Sequence, residues 1–155
     1  MSETLNSELA LVFSLDERLF ALPLSNVVQV LRAVEVTPLP QAPAVICGVV
    51  NVRGEVIPVV NLRQRLGLPE KALALGDQLL VAQGRRRRLG LLVDGSVGVS
   101  ECRAPDFMPI EALIPGTSCL AGILKSAQGM ILVHDLDALL SLDEADTLNE
   151  AMSDV

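Results

Sequence analysis

ICGVVNVRGEVIPVVNLRQRLGL, residues 46–68, is the stretch that decides how this chain folds. Val45–Val52 is rich in β-branched residues and predicts a strand. Asn51-Val52-Arg53-Gly54 places Asn first and Gly fourth, as a type I turn prefers. Gly54 can take positive φ, so the sequence predicts a three-residue loop with a bulge. Glu55–Val60 then returns antiparallel. Pro58 cannot donate to a ladder, which predicts an edge or a bulge there. Asn61 is a good N-cap, Leu62 and Leu66 share a helical face, and Gly67 stops the short helix. Arg53 stands apart in this apolar stretch, as a permanently charged fork at the tip of a turn.

Outward from that stretch, the other hydrophobic runs are also strand-like. Leu9–Leu15 and Leu19–Leu24 form a first hairpin about Asp16-Glu17, alternating loosely enough to be buried on both faces. Val27–Arg32 is extended or a short helix turning into strand. Three prolines between Thr37 and Pro43 make a stiff connection outside any ladder. Gln78–Gln83, Leu89–Val93 and Val97–Glu101 follow as strands, then a proline-bearing loop over 103–116. Leu120–Leu124 and Met130–Val133 make a last hairpin, and Asp135 caps a helix carrying Leu136, Leu139 and Leu140. Residues 1–8 read as a disordered lead-in, and 143–155 as an acidic tail with one frayed helical turn.

The central stretch recurs. An offset of 74 aligns Gly48 with Gly122, Ile57 with Ile131, Val59 with Val133, Asn61 with Asp135 and Leu62 with Leu136. LFALPLSNVV at Leu19 likewise resembles LGLLVDGSVG at Leu89, at an offset of 70. Two copies of a β unit of roughly 70 residues follow, each near the lower size limit for independent folding. Arg53 aligns with Ala127 and Asn51 with Lys125. The second copy's turn thus dispenses with the arginine, which argues for a role of Arg53 beyond folding.

Composition narrows the function. Of 155 residues 50% are hydrophobic and 20% charged, with a net charge of −7 and no Trp or Tyr. That balance argues against a nucleic-acid or anionic-membrane surface. The polar, acidic start is not a signal peptide, and no apolar run is long enough to span a membrane. Cys47, Cys102 and Cys119 lack metal or disulfide spacing and read as reduced, buried thiols of a cytosolic protein. His134, the single histidine, ends an apolar strand and reads as half in the core. No catalytic, phosphate-cradling or metal-loop spacing occurs, so no catalytic residue, metal or cofactor is assigned. Arg85–Arg88 reads as a solvated edge that discourages aggregation, or alternatively as a contact for an acidic protein partner.

The segment 48–67 resembles the signature of the CheW-type chemotaxis coupling proteins, approximately G-x-x-N-x-R-G-x-x-x-P-V-x-D-L-R. Gly48, Asn51, Arg53, Gly54, Pro58, Val59, Leu62 and Arg63 match it, and Asn61 stands where Asp is usual, which keeps the cap. The opening LVFSLDERLFALPLSNVVQVLR, the APAVICG approach, LGLLVDGSVGV and the closing hairpin and helix follow in family order over about residues 8–142.

This resemblance implies a mainly β fold of two intertwined, five-stranded SH3/OB-like β-barrels spanning 9–142, with subdomains at about 9–68 and 77–142 and strand exchange between them left open. It implies a cytoplasmic scaffold joining a chemoreceptor's cytoplasmic tip to a CheA-type histidine kinase, itself neither an enzyme nor membrane-inserted. The matching receptor-facing positions are Val27, Val28, Gln29, Gly48, Asn51, Val52, Arg53 and Gly54. The kinase-facing surface is expected around Leu92, Val97, Gly98 and Val99. Many members carry Glu at the position of Gln29, where it can pair with the arginine; Gln29 supplies no charge. A β-barrel module binding a protein or ligand outside chemosensing is the alternative reading.

Overall fold

A computed structural model describes residues 8–32, 35–109 and 120–153. Among them are eleven strands: β1 Glu8–Leu15, β2 Arg18–Pro23, β3 Val27–Arg32, β4 Ile46–Val52, β5 Glu55–Val60, β6 Gln78–Gln83, β7 Arg88–Val93, β8 Gly95–Cys102, β9 Phe107–Pro109, β10 Leu120–Ser126 and β11 Gly129–His134. Two α-helices accompany them, α1 Leu62–Leu66 and α2 Leu142–Met152. The segment 27–32 is thus strand. Most of the lead-in, Cys119 and the end of the 103–116 loop lie outside the described residues. The start of that loop holds a 3₁₀ turn, Ala104–Asp106, and β9.

The strands form one six-stranded sheet, β8-β1-β2-β11-β10-β9, and one five-stranded sheet, β3-β6-β7-β5-β4. The fold is mainly β, but the described pairings make open sheets and not the closed barrels expected. The chain divides into two compact units, one of 1–27 with 94–139 and the other of 28–93 with 140–155. Each unit joins hairpins from different copies of the repeat. In the first, β2 lies parallel to β11, with Phe20 opposite Leu132. In the second, β5 lies parallel to β7, with Val59 opposite Gly90.

The repeat survives in detail. The β4–β5 register shifts between Ile46 and Gly48, and the β10–β11 register between Leu120 and Gly122. At both glycines another backbone segment crosses closely. A Cβ on Gly48 would lie 2.1 Å from the Thr37 carbonyl oxygen, and one on Gly122 would lie 2.4 Å from that of Met108. Thr37, expected to stay outside any ladder, bridges to Val49 with both backbone hydrogen bonds, 2.9 and 2.7 Å.

That bridge also explains Pro58. β5 is an interior strand, so of the edge or bulge expected the edge is excluded, while the β4–β5 register shift lies next to the Val49–Pro58 pair. Val49 gives both its backbone groups to Thr37, so the Val49–Pro58 pair is a non-hydrogen-bonded one. β4 therefore asks for no donor from the proline, and the parallel pairing with β7 begins only at Val59.

The core of the first unit gathers Ala10, Val12, Ala21, Leu124, Ile131 and Val133. Beside them Phe13, Phe20 and His134 stack, with centroids 6.0 Å apart for the two phenylalanines and 5.4 Å for Phe20 and His134. His134 is 1% exposed, so it is fully in the core where the sequence suggested half. The second unit packs Val50, Ile57, Val59, Leu79 and Val81, with Leu31, Val36, Val52 and Leu92 against them. Cys47 and Cys102 are half-buried rather than buried. Burial raises both thiols above their ordinary value, aided at Cys102 by Glu8 and Asp106.

Candidate functional site

The hairpin tip is built from its register. Val52 pairs with Glu55, so the loop is Arg53-Gly54 alone, two residues where three were expected. Arg53 has φ 53° and Gly54 φ 88°, the left-handed pair of a type I′ turn. Such a turn follows the right-handed twist of the strands, which the expected type I turn would splay. Asn51 Oδ1 accepts from the Gly54 N–H at 2.8 Å and locks the tip.

An arginine in this position is conformationally unfavourable, since a Cβ at positive φ costs about 1–2 kcal/mol. No contact of the arginine itself offsets that cost among the described residues. Its side chain is exposed and makes no ion pair or hydrogen bond among the described residues. The adjacent carboxylate, Glu55, is taken by Arg88 at 3.1 Å. No hydrogen bond links Gln29 to Arg53. In the second copy Ala127 is not left-handed, and the positive φ falls on Gly129.

The remaining positions are not equivalent. β3 alternates half-buried and exposed. Val28 is 40% exposed, whereas Val27 and Gln29 share the opposite face with Leu31, which packs on the core. β3 and β4 are the two outermost strands of their sheet. Asn51, Arg53 and Gly54 are exposed together, Val52 is half-buried, and Gly48 is buried under the Thr37 segment.

The other predicted surface divides between the units. Leu92 packs against the core of the second unit. Val97, Gly98 and Val99 are exposed on β8, the outer strand of the six-stranded sheet. Val97 is the extra residue of a bulge, because Val12 pairs with Gly98 and Phe13 with Ser96. Val97 and Val99 are 45% and 54% exposed. Exposed Leu9, on β1 beside β8, was missed by the sequence reading, as was the cleft of about 270 Å³ it lines with Ala10, Pro23, Cys102, Phe107 and Ala121. Neither carries a pattern distinguishable from core.

The arginine run is not an edge. Arg85–Arg88 joins β6 to β7, both interior strands. Arg88 pairs with Glu55, Arg86 lies 3.6 Å from Asp146, and Arg87 donates to Asn149. The last two partners belong to α2, an eleven-residue helix where one frayed turn was expected. Ser141 and Glu144 form a capping box, and Leu148 and Ala151 are buried. The spacing S-x-x-E before an apolar residue is the signal that would have found it.

Glu144 reports on that helix. Burial disfavours its charge, but hydrogen bonds from the Ser141 backbone and from Arg65, at 2.6 Å, outweigh burial and hold its carboxyl below the ordinary 4.5. A lowered folded value means that this contribution is present above the unfolded value and is lost as pH falls through the folded one. The Ala151 methyl resonance is therefore expected to move toward its unfolded position as the pH drops below 4.5, while sheet resonances of the first unit stay in place.

The model of the CheW-like domain family matches residues 9–144. The chain is 32% identical over 140 residues to the chemotaxis protein CheW of Thermotoga maritima, covering 90% of this chain and 92% of that one. It is 31% identical over 149 residues to that of Bacillus subtilis, covering 93% and 94%. The crystal structure of the scaffolding protein CheW from Thermoanaerobacter tengcongensis superposes with a TM-score of 0.79 at 28% identity, over 88% of this chain and 94% of that one. A match of this extent makes the chain a member of the CheW-like domain family.

Proposed function

We propose that the chain is a non-enzymatic scaffold of a cytoplasmic chemosensory two-component pathway, coupling chemoreceptors to a CheA-type histidine kinase. The observation that carries this reading is Arg53, an exposed arginine held in an unfavourable backbone conformation with no partner among the described residues. A side chain kept at such a position is placed for something outside the chain. The chemoreceptor tip would be met by Asn51, Val52, Arg53 and Gly54, with Val27, Val28 and Gln29 contributing from β3. Gly48 would act indirectly, by letting the Thr37 segment close over β4. Arg53 would bond a carboxylate or a helix-end carbonyl of the receptor. Gln29 brings no charge to the arginine, so the charged partner belongs to the receptor. Each sheet would curl toward the five-stranded barrel of the family.

The kinase would meet the β8 edge, outermost among the described strands, where Val97 and Val99 expose apolar side chains and Gly98 exposes its backbone. Leu92, half-buried against the second unit's core, is the remaining kinase-facing candidate. Coupling then needs no chemistry, only two surfaces on one body, with receptor state altering how the kinase is held.

The test separates folding from coupling. Replacing Arg53 by Gly removes the strained Cβ and the guanidinium together. The variant is expected to gain about 0.5–1 kcal/mol in chemical denaturation, the strain relieved exceeding the added chain entropy. In a pull-down with a CheA-type kinase and receptor fragments it should keep the kinase and lose most of the receptor. Arg53→Ala should keep wild-type stability and lose the receptor equally. Undiminished receptor recruitment by both variants would remove Arg53 from the site. Binding to neither protein by the wild type would leave a binding module outside chemosensing.

A further inference from the structure

The arginine cluster of the second unit already holds a ligand, and that ligand is part of the chain. Arg65 on α1 donates to Glu144 at 2.6 Å, Arg86 faces Asp146 at 3.6 Å, and Arg87 donates to Asn149. α2 therefore lies across α1 and the β6–β7 turn. It carries Asp143, Glu144, Asp146 and Glu150 with no basic residue in its last turn, while burying Leu148 and Ala151. Charge complementarity is local and strong in a chain of net charge −7.

The polar part of this attachment is nonetheless weak. The Arg86 and Asp146 side chains are 58% and 70% exposed, so salt screens that pair. Arg65 is less well served than its short contact suggests. Its Nε is buried and has no acceptor among the described residues. A buried donor left unpaired opposes the docking that buries it. The last turn of α2 carries no basic residue of its own, and Arg87 reaches it from the β6–β7 turn through Asn149.

From this juxtaposition we propose that Arg65, Arg86 and Arg87 form a docking site for an acidic amphipathic helix of a partner protein, and that α2 occupies it as a releasable cover. The fitting helix carries the pattern of α2 itself, E-x-D-x-L-x-x-A, with two carboxylates one side of a leucine and a small residue one turn on. A partner helix that also supplied an acceptor to Arg65 Nε would outcompete α2. The inference does not rest on the receptor or kinase assignments, since none of those residues takes part.

A labelled peptide of residues 141–153 is the probe, offered to the full-length protein. The variant E144R/D146R ejects α2 from the cluster. It is expected to bind the peptide at least ~10-fold more tightly than wild type, whose own helix competes. Raising salt from about 50 to about 500 mM should weaken that binding and speed amide exchange of 142–152 in wild type, leaving β10–β11 protected. D146R alone keeps the Ser141–Glu144 box and should give the intermediate result. Adding R65E/R86E/R87E should abolish peptide binding. Absence of binding to the ejecting variants, or binding indifferent to the arginine reversals, overturns the proposal. Equal displacement of the peptide by a single-stranded oligonucleotide overturns it too, by assigning the cluster to nucleic acid.

Discussion

Gly48→Ala is expected to destabilise the protein by about 3 kcal/mol or more, a large part of the margin on which a domain of this size rests. The added Cβ would sit 2.1 Å from the Thr37 carbonyl oxygen and 2.9 Å from a Val36 methyl, with φ at +153°. Neither a backbone carbonyl nor a bulged strand can yield without cost. Moving the Thr37 segment would break both of its bonds to Val49 and uncover the edge of β4. Thermal unfolding compared with Gly95→Ala is the measurement, because a Cβ at Gly95 meets nothing within 4 Å. Equal stability of the two variants would mean that the crossing at Gly48 is looser than described. The same comparison gives the motif glycine a folding role, so lost receptor coupling in a Gly48 variant says nothing about contact.

Phe13→Ala should cost about 3–5 kcal/mol, the usual range for removing a buried aromatic ring. Phe13 is completely buried and lies at the meeting of Phe20 and His134. Each neighbour would lose a stacked partner, and β1 is held between β2 and β8, which limits collapse into the space. Denaturant unfolding followed through the His134 ring resonance would read both the loss and its location. A loss under about 1 kcal/mol would mean that the sheet closes over the gap.

Much of this architecture is legible in the sequence because it is local. β5 and β6 run over Glu55–Val60 and Gln78–Gln83 as read, since turn residues bound each apolar run. α1 begins on the Asn61 cap, which accepts from Gln64 N, and ends at Gly67 with φ 73°. The constant offset of 74 marked the two hairpins as copies, and the matching register shifts at Gly48 and Gly122 agree with it. What escaped depends on residues far apart. Nothing near Phe20 says that it will face Leu132, so the exchange of hairpins between units is invisible to periodicity. Pro58 pointed to an edge or a bulge because the Thr37 bridge, which excuses its missing donor, comes from a segment that reads as loop. At the site, Arg53 stood out as a charge in an apolar hairpin, whereas its left-handed backbone depended on the two-residue register. The acidic tail read as frayed because its partners, Arg65, Arg86 and Arg87, lie more than fifty residues upstream.

The parallel pairing of β2 with β11 also has a consequence for the order of synthesis. The β1–β2 hairpin is complete within the first two dozen residues, yet its partner β11 begins only at Gly129. At ordinary translation speeds this leaves the nascent hairpin roughly ten seconds without its neighbour. Throughout that time β2 presents an open edge and Phe20 has no roof. The intervening 28–93 can meanwhile gather into the larger part of the other unit. Maturation of this protein should therefore be slow for its length, sensitive to ribosome pausing before Gly129, and most dependent on holdase chaperones while that edge is bare.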